Sequence, residues 1–131
     1  MTDRQRTHSN PAFEARFAYC RALRVGNQIH VSGTAAVEAD GSVTPGGTGP
    51  QTARCLAIIK MAIEDLGGSL ADVVRLRMYI TDISQAESMG EHLRAAFGDA
   101  PPTSTLVEVS GLVDPEMIIE IEAEAIIDGA D

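Results

Sequence analysis

A strict alternation of apolar and acidic side chains over residues 119–125, within the segment 118–126, constrains the fold more than any other feature of the chain. Successive side chains of a β-strand point to opposite faces, so this pattern predicts a strand with one apolar and one acidic face. The apolar set is Ile119, Ile121, Ala123 and Ala125, and the opposite set is Ile118, Glu120, Glu122, Glu124 and Ile126. Three neighbouring carboxylates repel one another at neutral pH unless they are solvated, matched by arginine or partly protonated. Solvation is the commonest arrangement for such a run.

The first half of the chain has the pattern of a β-hairpin followed by a helix. Residues 19–25 and 28–33 alternate in polarity, and Gly26 and Asn27 supply a tight turn between them. The glycine-rich stretch 41–49 predicts a loop without the lysine of a phosphate-binding P-loop. Pro50 suits the first turn of a helix, and Gly67 with Gly68 suits its end. Apolar residues recur between them at helical spacing, namely Leu56, Ile59, Ile63 and Leu66.

The second half predicts three strands and one more helix. Residues 74–80 alternate as in a strand, and residues 84–87 have the form of a capping box that opens a helix to about Phe97. Pro101 and Pro102 break the chain, and strands follow at about 103–109 and 117–127, joined by a turn at 111–115.

This element order, β-β-α-β-α-β-β, predicts an α+β fold with a mixed sheet. Right-handed crossovers place both helices on one face of the sheet, so the other face stays uncovered. A chain of 131 residues with 44% apolar content supports one core, predicted as a single domain over 18–131 after a polar N-terminal lead-in at 1–17. Aromatic residues make up only 4% of the chain, and so thin a core favours association through the uncovered face.

Composition excludes several classes of partner and compartment. The net charge of −9, with Lys60 as the single lysine, argues against nucleic acid, although the pairs Arg21/Arg24 and Arg75/Arg77 could bind a small anion. The chain has neither an apolar run of membrane-spanning length nor a secretion signal at its start, so we expect a cytoplasmic protein without a membrane partner. Cys20 and Cys55 lack metal-binding or redox spacing and are expected to stay free thiols.

Cofactor and nucleophile motifs are also missing from the sequence. His8, His30 and His92 lie in unrelated contexts, which predicts no zinc site, and we expect no cofactor. Ser32 does not lie in the Gly-x-Ser-x-Gly pattern of a nucleophile elbow. Any catalysis is therefore predicted to be water addition assisted by a carboxylate base.

Several short segments together resemble the RidA/YjgF family of reactive-intermediate deaminases over roughly residues 18–127. They are residues 25–27 leading to 31–33, 51–54, 67–74, 79–82, 107–109 and 119–123. The resemblance implies a chorismate-mutase-like fold assembled as a homotrimer, with the bare sheet faces inward and clefts between subunits. It also implies hydrolysis of imines or enamines, such as 2-aminoacrylate, to a keto acid and ammonia without metal or cofactor.

The resemblance also implies a set of site residues, with two departures. Glu120 matches the glutamate that orients the attacking water, and Tyr19 and Ser32 match the tyrosine and serine that complete the cleft. Ser104 stands where the family has the arginine that grips the substrate carboxylate, and Gly90 stands at the usual asparagine. Loss of the arginine's paired hydrogen bonds to a desolvated carboxylate removes about 2 to 5 kcal/mol of binding.

Two questions stay open from the residues alone. Arg77 or Arg75 could replace the missing arginine across a subunit boundary, or could form salt bridges with the glutamate face. The hydroxyls of Thr103, Ser104 and Thr105 could contact a neutral ligand, or could reflect only the strand preference of threonine. The sequence thus leaves two functions, a small-molecule hydrolase or deaminase, and a non-catalytic trimer that binds a metabolite or protein.

Overall fold

A computed structural model describes residues 3–128 as a six-stranded mixed sheet with three α-helices. The strands are β1 (Arg4–Thr7), β2 (Ala22–Val25), β3 (Gln28–Ala35), β4 (Val73–Ile80), β5 (Thr103–Glu108) and β6 (Ile119–Ile126), and the helices are α1 (Pro11–Arg16), α2 (Thr48–Asp65) and α3 (Gly90–Phe97). The strand order is β1-β2-β3-β6-β4-β5, and β4 with β5 is the parallel pair. Residues 1, 2 and 129–131, at the outer ends of the predicted lead-in and domain, lie outside the described residues.

The hydrophobic core lies between the sheet and helices α2 and α3, which confirms the predicted α+β architecture. Ile119 and Ile121 of β6 are fully buried, as are Ile59 and Ile63 of α2. Complete burial of such a side chain contributes about 1.5 to 3 kcal/mol. The apolar face of β6 therefore packs against α2, and the opposite face of β6 carries the glutamates. No helix within residues 3–128 is long and apolar enough to cross a bilayer.

Two predicted turns have the backbone geometry that their residues favour. Gly26 takes φ +62° between β2 and β3, at the first central position of a type II′ hairpin turn. After α2, the N–H of Gly67 donates to the carbonyl of Glu64, and the N–H of Gly68 donates to that of Ile63. This pair of bonds is a Schellman motif, and Gly67 supplies the left-handed conformation it needs, with φ +92°.

The N-terminal segment contains two elements that the sequence did not predict. β1 pairs antiparallel with β2 as an edge strand, and α1 carries a fully buried glutamate, Glu14. Residues 4–7 are polar and mostly exposed, so the strand is held by backbone pairing and leaves no apolar alternation to detect. α1 has six residues, too few for a helical period to repeat.

The start of the second predicted helix also differs from expectation. Residues Ile83–Met89 form a 3₁₀ segment, and α3 begins only at Gly90. The predicted capping box at residues 84–87 is wrong, because Asp82 already accepts hydrogen bonds from the N–H and hydroxyl of Ser84. A capping box does form at Ser69 and Asp72, where a short 3₁₀ turn precedes β4.

Candidate functional site

Glu120 lies on the sheet face that α2 and α3 leave uncovered, beside Ala35 of β3 and Tyr79 of β4. Its side chain is half-buried, and no donor within residues 3–128 hydrogen-bonds to its carboxylate. Burial raises the pKa of this carboxyl above its ordinary value, Arg21 opposes the rise, and Glu122 adds to it. Glu120 is thus an unpartnered carboxylate with an increased affinity for a proton, which suits a general base.

A β-bulge brings the β3 backbone against this carboxylate. The pairing of β3 with β6 shifts register between Val31 and Thr34, so Ser32 and Gly33 form the irregular step. A methyl group built at Gly33 would lie 2.8 Å from Oε2 of Glu120. Because Gly33 has no side chain, the Glu120 carboxylate can occupy this space.

Tyr19 and Ser32 line one open depression of about 540 Å³. Its lining comes from β1, α1, β2 and β3 and includes Arg6, His8, Leu23 and His30. The hydroxyl of Ser32 donates to the carbonyl of Cys20 at 2.8 Å, which leaves its oxygen free to accept. The hydroxyl of Tyr19 accepts from Nη2 of Arg21 at 3.3 Å, which leaves its proton free to donate.

Arg21 connects the residues at this end of the site. Its guanidinium is buried, and Nη1 donates to the carbonyl of Gly33 at 2.7 Å and to Oγ1 of Thr34 at 2.9 Å. Nη2 lies 3.5 Å from Oε2 of Glu14. With its terminal donors engaged in this way, Arg21 links Tyr19, the bulge of β3 and α1 into one polar cluster.

Glu14 is the fully buried member of that cluster. Oε2 accepts from the backbone N–H groups of Asn10 and Ser9 and from the Ser9 hydroxyl, and Oε1 lies 2.7 Å from Nδ1 of His8. Burial alone would raise the pKa of Glu14, but these hydrogen bonds outweigh burial and lower it.

The roles of Arg21 and Glu14 were not evident from the sequence. Arg21 was expected only as one of a pair for a small anion, and Glu14 falls in the predicted lead-in. The available signal was local: Arg21 interrupts the apolar alternation of a hairpin strand, and Glu14 follows the helix-starting proline at Pro11 by three residues.

Arg77 pairs with the neighbouring glutamates of β6. Its Nη1 donates to Oε1 of Glu124 at 2.7 Å and lies 3.8 Å from Oε1 of Glu122. The Tyr79 hydroxyl donates to Oε2 of Glu122 at 2.7 Å. Within residues 3–128, therefore, Arg77 forms salt bridges with Glu122 and Glu124, which was one of its two predicted roles, and does not contact Glu120.

Ser104 and Thr105 do not share a face of the sheet. In the register of β5 with β4, Ser104 lies beside Leu76 on the side of the core, and Thr105 lies beside Arg77 on the uncovered side. Both side chains are exposed on an edge strand. Thr105 therefore shares a face with Glu120, whereas Ser104 points to the other side of the sheet.

Metal and thiol chemistry receive no support in the described part of the chain. Residues 3–128 contain no group of three or more potential metal-ligating side chains. Cys20 and Cys55 are unbridged, and burial raises the pKa of the Cys55 thiol to about 12. Cys55 is thus a packing residue rather than a nucleophile.

Substituting alanine for Gly33 tests whether the bulge positions Glu120. The three atoms nearest to the added methyl group all belong to the flexible Glu120 side chain, so the free energy of unfolding should change by less than about 1 kcal/mol. The displaced carboxylate should shift its NMR resonance, and any Glu120-dependent rate should fall by up to about 10²-fold. Gly111→Ala is the matched control, because a methyl group there meets no atom within 4 Å. An unmoved Glu120 resonance in Gly33→Ala would contradict this role of the bulge.

Comparison with known proteins places this chain among one group of relatives. The family model described as Endoribonuclease L-PSP matches residues 9–127. A RutC family protein of Pyrococcus abyssi is 36% identical over 108 residues, which cover 82% of this chain and 84% of the relative.

Two solved structures share the fold. One is a member of the YjgF/YER057c/UK114 family from Mycobacterium tuberculosis, with a TM-score of 0.87 and 38% identity over 95% of this chain and 100% of that one. The other is RidA from the Antarctic bacterium Psychrobacter sp. PAMC 21119, with a TM-score of 0.78 and 29% identity over 83% of this chain and 88% of that one.

Proposed function

The chain belongs to the RidA/YjgF (Endoribonuclease L-PSP) family, and from this premise we propose that it is a small-molecule hydrolase that deaminates imines, enamines or related carbonyl-derived metabolites. The observation that carries the proposal is the half-buried Glu120 carboxylate, which has a raised pKa and no hydrogen-bond donor within residues 3–128. Membership of the family supports the coarser role, deamination or metabolite binding.

In the proposed reaction, Glu120 removes a proton from water while the water oxygen bonds to the carbon of the C=N group. Glu120 returns this proton to the imine nitrogen, which gives a carbinolamine. Glu120 then carries the hydroxyl proton of the carbinolamine to the nitrogen, the C–N bond breaks, ammonia leaves and a carbonyl forms, so that one imine and one water yield one carbonyl compound and one ammonia. In this proposal the free hydroxyl proton of Tyr19 and the accepting oxygen of Ser32 orient the substrate, and their hydrogen bonds to Arg21 and Cys20 support that role.

The proposal does not extend to RNA, despite the wording of the family description. Phosphate binding needs clustered basic side chains, and the chain has a net charge of −9 and three glutamates on the uncovered sheet face. A small metabolite is therefore the proposed substrate.

The unbridged cysteines fit the cytoplasmic location expected from the sequence.

The proposed assembly is a homotrimer that covers the open sheet face and encloses its clefts. Support comes from the row of half-buried side chains on that face, including Tyr79, Glu120 and Glu122, and from the exposed Val107 at its edge. Sedimentation equilibrium should give three times the mass of the single chain, which is 13.9 kDa. A folded species that sediments as the single chain would contradict this assembly.

Ammonia release from freshly made imines tests the catalytic proposal. An amino-acid oxidase generates the imine in place, and the wild-type protein is compared with Glu120→Gln and with buffer. We expect acceleration by the wild type and its loss in the variant. If both proteins match the buffer rate, the enzymatic function is wrong, and the second candidate, a non-catalytic metabolite- or protein-binding protein, takes its place. Ser104, at the family's arginine position, is the observation that favours this second candidate.

A further inference from the structure

The depression that holds Tyr19 and Ser32 contains three basic side chains, Arg6, His8 and His30, in a chain whose net charge is −9. Two of the three have partners inside the molecule. His8 lies 2.7 Å from Glu14, and Nε2 of His30 lies 3.3 Å from the side-chain oxygen of Gln28. Arg6 is exposed on β1 and forms no ion pair within residues 3–128.

Four of the eight other arginines donate to fixed acceptors. Those with hydrogen-bonded partners are Arg21 with Gly33 and Thr34, Arg24 with Gly26 and Leu66, Arg54 with Val37, and Arg77 with Glu124. None of these four lines the depression. Arg6 is the arginine that lines it, and its five N–H donors are available to a ligand.

The polar groups of the depression that are free to donate match the oxygens of a carboxylate. Arg6 offers two parallel N–H donors, and the Tyr19 hydroxyl has a free proton because its oxygen accepts from Arg21. Ala15, Ala18 and Leu23 form an apolar wall, and the volume of about 540 Å³ suits a small organic molecule. An anion with a short apolar part satisfies both the donors and the wall.

We propose that Arg6 of β1 binds the carboxylate of a small organic acid in this depression, with Tyr19 as the second donor. The role of this acid as substrate or product rests on the proposed function. Its binding does not, because binding is measured without turnover. The guanidinium comes from the N-terminal edge strand and lies on the face opposite to Ser104.

The test is an NMR titration of the ¹⁵N-labelled full chain with pyruvate and with pyruvamide, its uncharged analogue. Pyruvate should shift the backbone amides of Tyr19 and Ser32 and should bind at least about 10-fold more tightly than pyruvamide. Arg6→Ala should weaken pyruvate binding by about 10- to 100-fold, the loss of a charge-assisted pair, and should leave pyruvamide unchanged.

Arg4→Ala is the matched control. Arg4 lies two residues earlier on the same strand and the same face, is also exposed, and does not line the depression. Removing Arg4 changes the net charge by as much as removing Arg6 does, so a general electrostatic effect would weaken pyruvate binding equally in the two variants. The proposal requires Arg4→Ala to bind pyruvate as the wild type does, and both exposed edge-strand variants should fold.

Three results would overturn the proposal: equal weakening in the two variants, equal binding of pyruvate and pyruvamide, or no shift at Tyr19 and Ser32 under saturating pyruvate. Each of these results is read from binding without turnover, whereas the ammonia assay reads the dependence of the rate on Glu120, so the failure of one does not decide the other. Conversely, a protein without ammonia release that still binds pyruvate through Arg6 would retain this site and lose only the catalytic function.

Discussion

Replacing Glu14 with glutamine is expected to lower the free energy of unfolding by about 3 to 5 kcal/mol at pH 7. Glutamine keeps the size of the side chain and removes its charge. The buried Arg21 then loses the carboxylate that lies 3.5 Å from its Nη2, and the backbone N–H groups of Ser9 and Asn10 lose a charged acceptor. The cost is large because a buried charge without its counter-charge has no water to stabilise it.

The effect of this substitution should depend on pH with a definite sign. The pKa of Glu14 is lowered in the folded protein, so its carboxylate stabilises the fold above the unfolded-state value, near 4.5. That contribution is lost as the pH falls through the lowered folded-state pKa. The difference between the wild type and Glu14→Gln should therefore be full at pH 7 and should shrink progressively below about pH 4.5.

Urea unfolding at fixed protein concentration measures this difference at pH 7 and at several acidic values. Glu64→Gln is the control, because Glu64 pairs with Lys60 on the exposed surface of α2. Its loss should cost less than about 0.5 kcal/mol. Equal effects of the two substitutions would show that Glu14 behaves as a surface carboxylate and would contradict the buried cluster.

The sequence predicted the core of this fold because its elements have strong, regular periods. The alternation of residues 118–126 identified both faces of β6, and the spacing of Ile59 and Ile63 identified the buried face of α2. Gly67 and Gly68 identified the end of that helix through their backbone freedom. The elements that escaped prediction, β1 and α1, are short; β1 is also polar, and long-range pairing with β2 holds it in place.

The candidate site was predictable only in part, because its geometry depends on a bulge and on contacts between distant residues. Glu120 was found from the strand pattern and the family resemblance. The contact of Glu120 with Gly33 follows from a register shift in β3, which a period-two pattern does not report. The link from Arg21 to Glu14 joins a hairpin to a helix that was not predicted, so no local rule could reveal it.

Glu120 is expected to show opposite effects on activity and stability. Burial raises its pKa, so the folded protein binds the proton of Glu120 more tightly than the unfolded chain does. The protonated side chain therefore contributes stability below about pH 4.5, and that contribution is lost as the pH rises through the folded-state pKa. At pH 7 the half-buried carboxylate thus costs stability. Glu120→Gln should be at least as stable as the wild type at pH 7, with the difference closing below pH 4.5, as thermal unfolding would measure.

The same carboxylate should control the rate of imine hydrolysis through its ionised form. The rate above buffer should rise with pH through an inflection above the ordinary glutamate pKa of 4.5, and Glu120→Gln should lose about 10²- to 10⁴-fold. Glu122→Gln is a sharp control, because Glu122 helps to raise the pKa of Glu120 and lies on the same strand face. It should move the inflection to lower pH and leave the plateau rate within a few-fold of the wild type. A plateau that falls as far in Glu122→Gln as in Glu120→Gln would show that the glutamate face acts only as a shared field, and Glu120 would lose its role as the base.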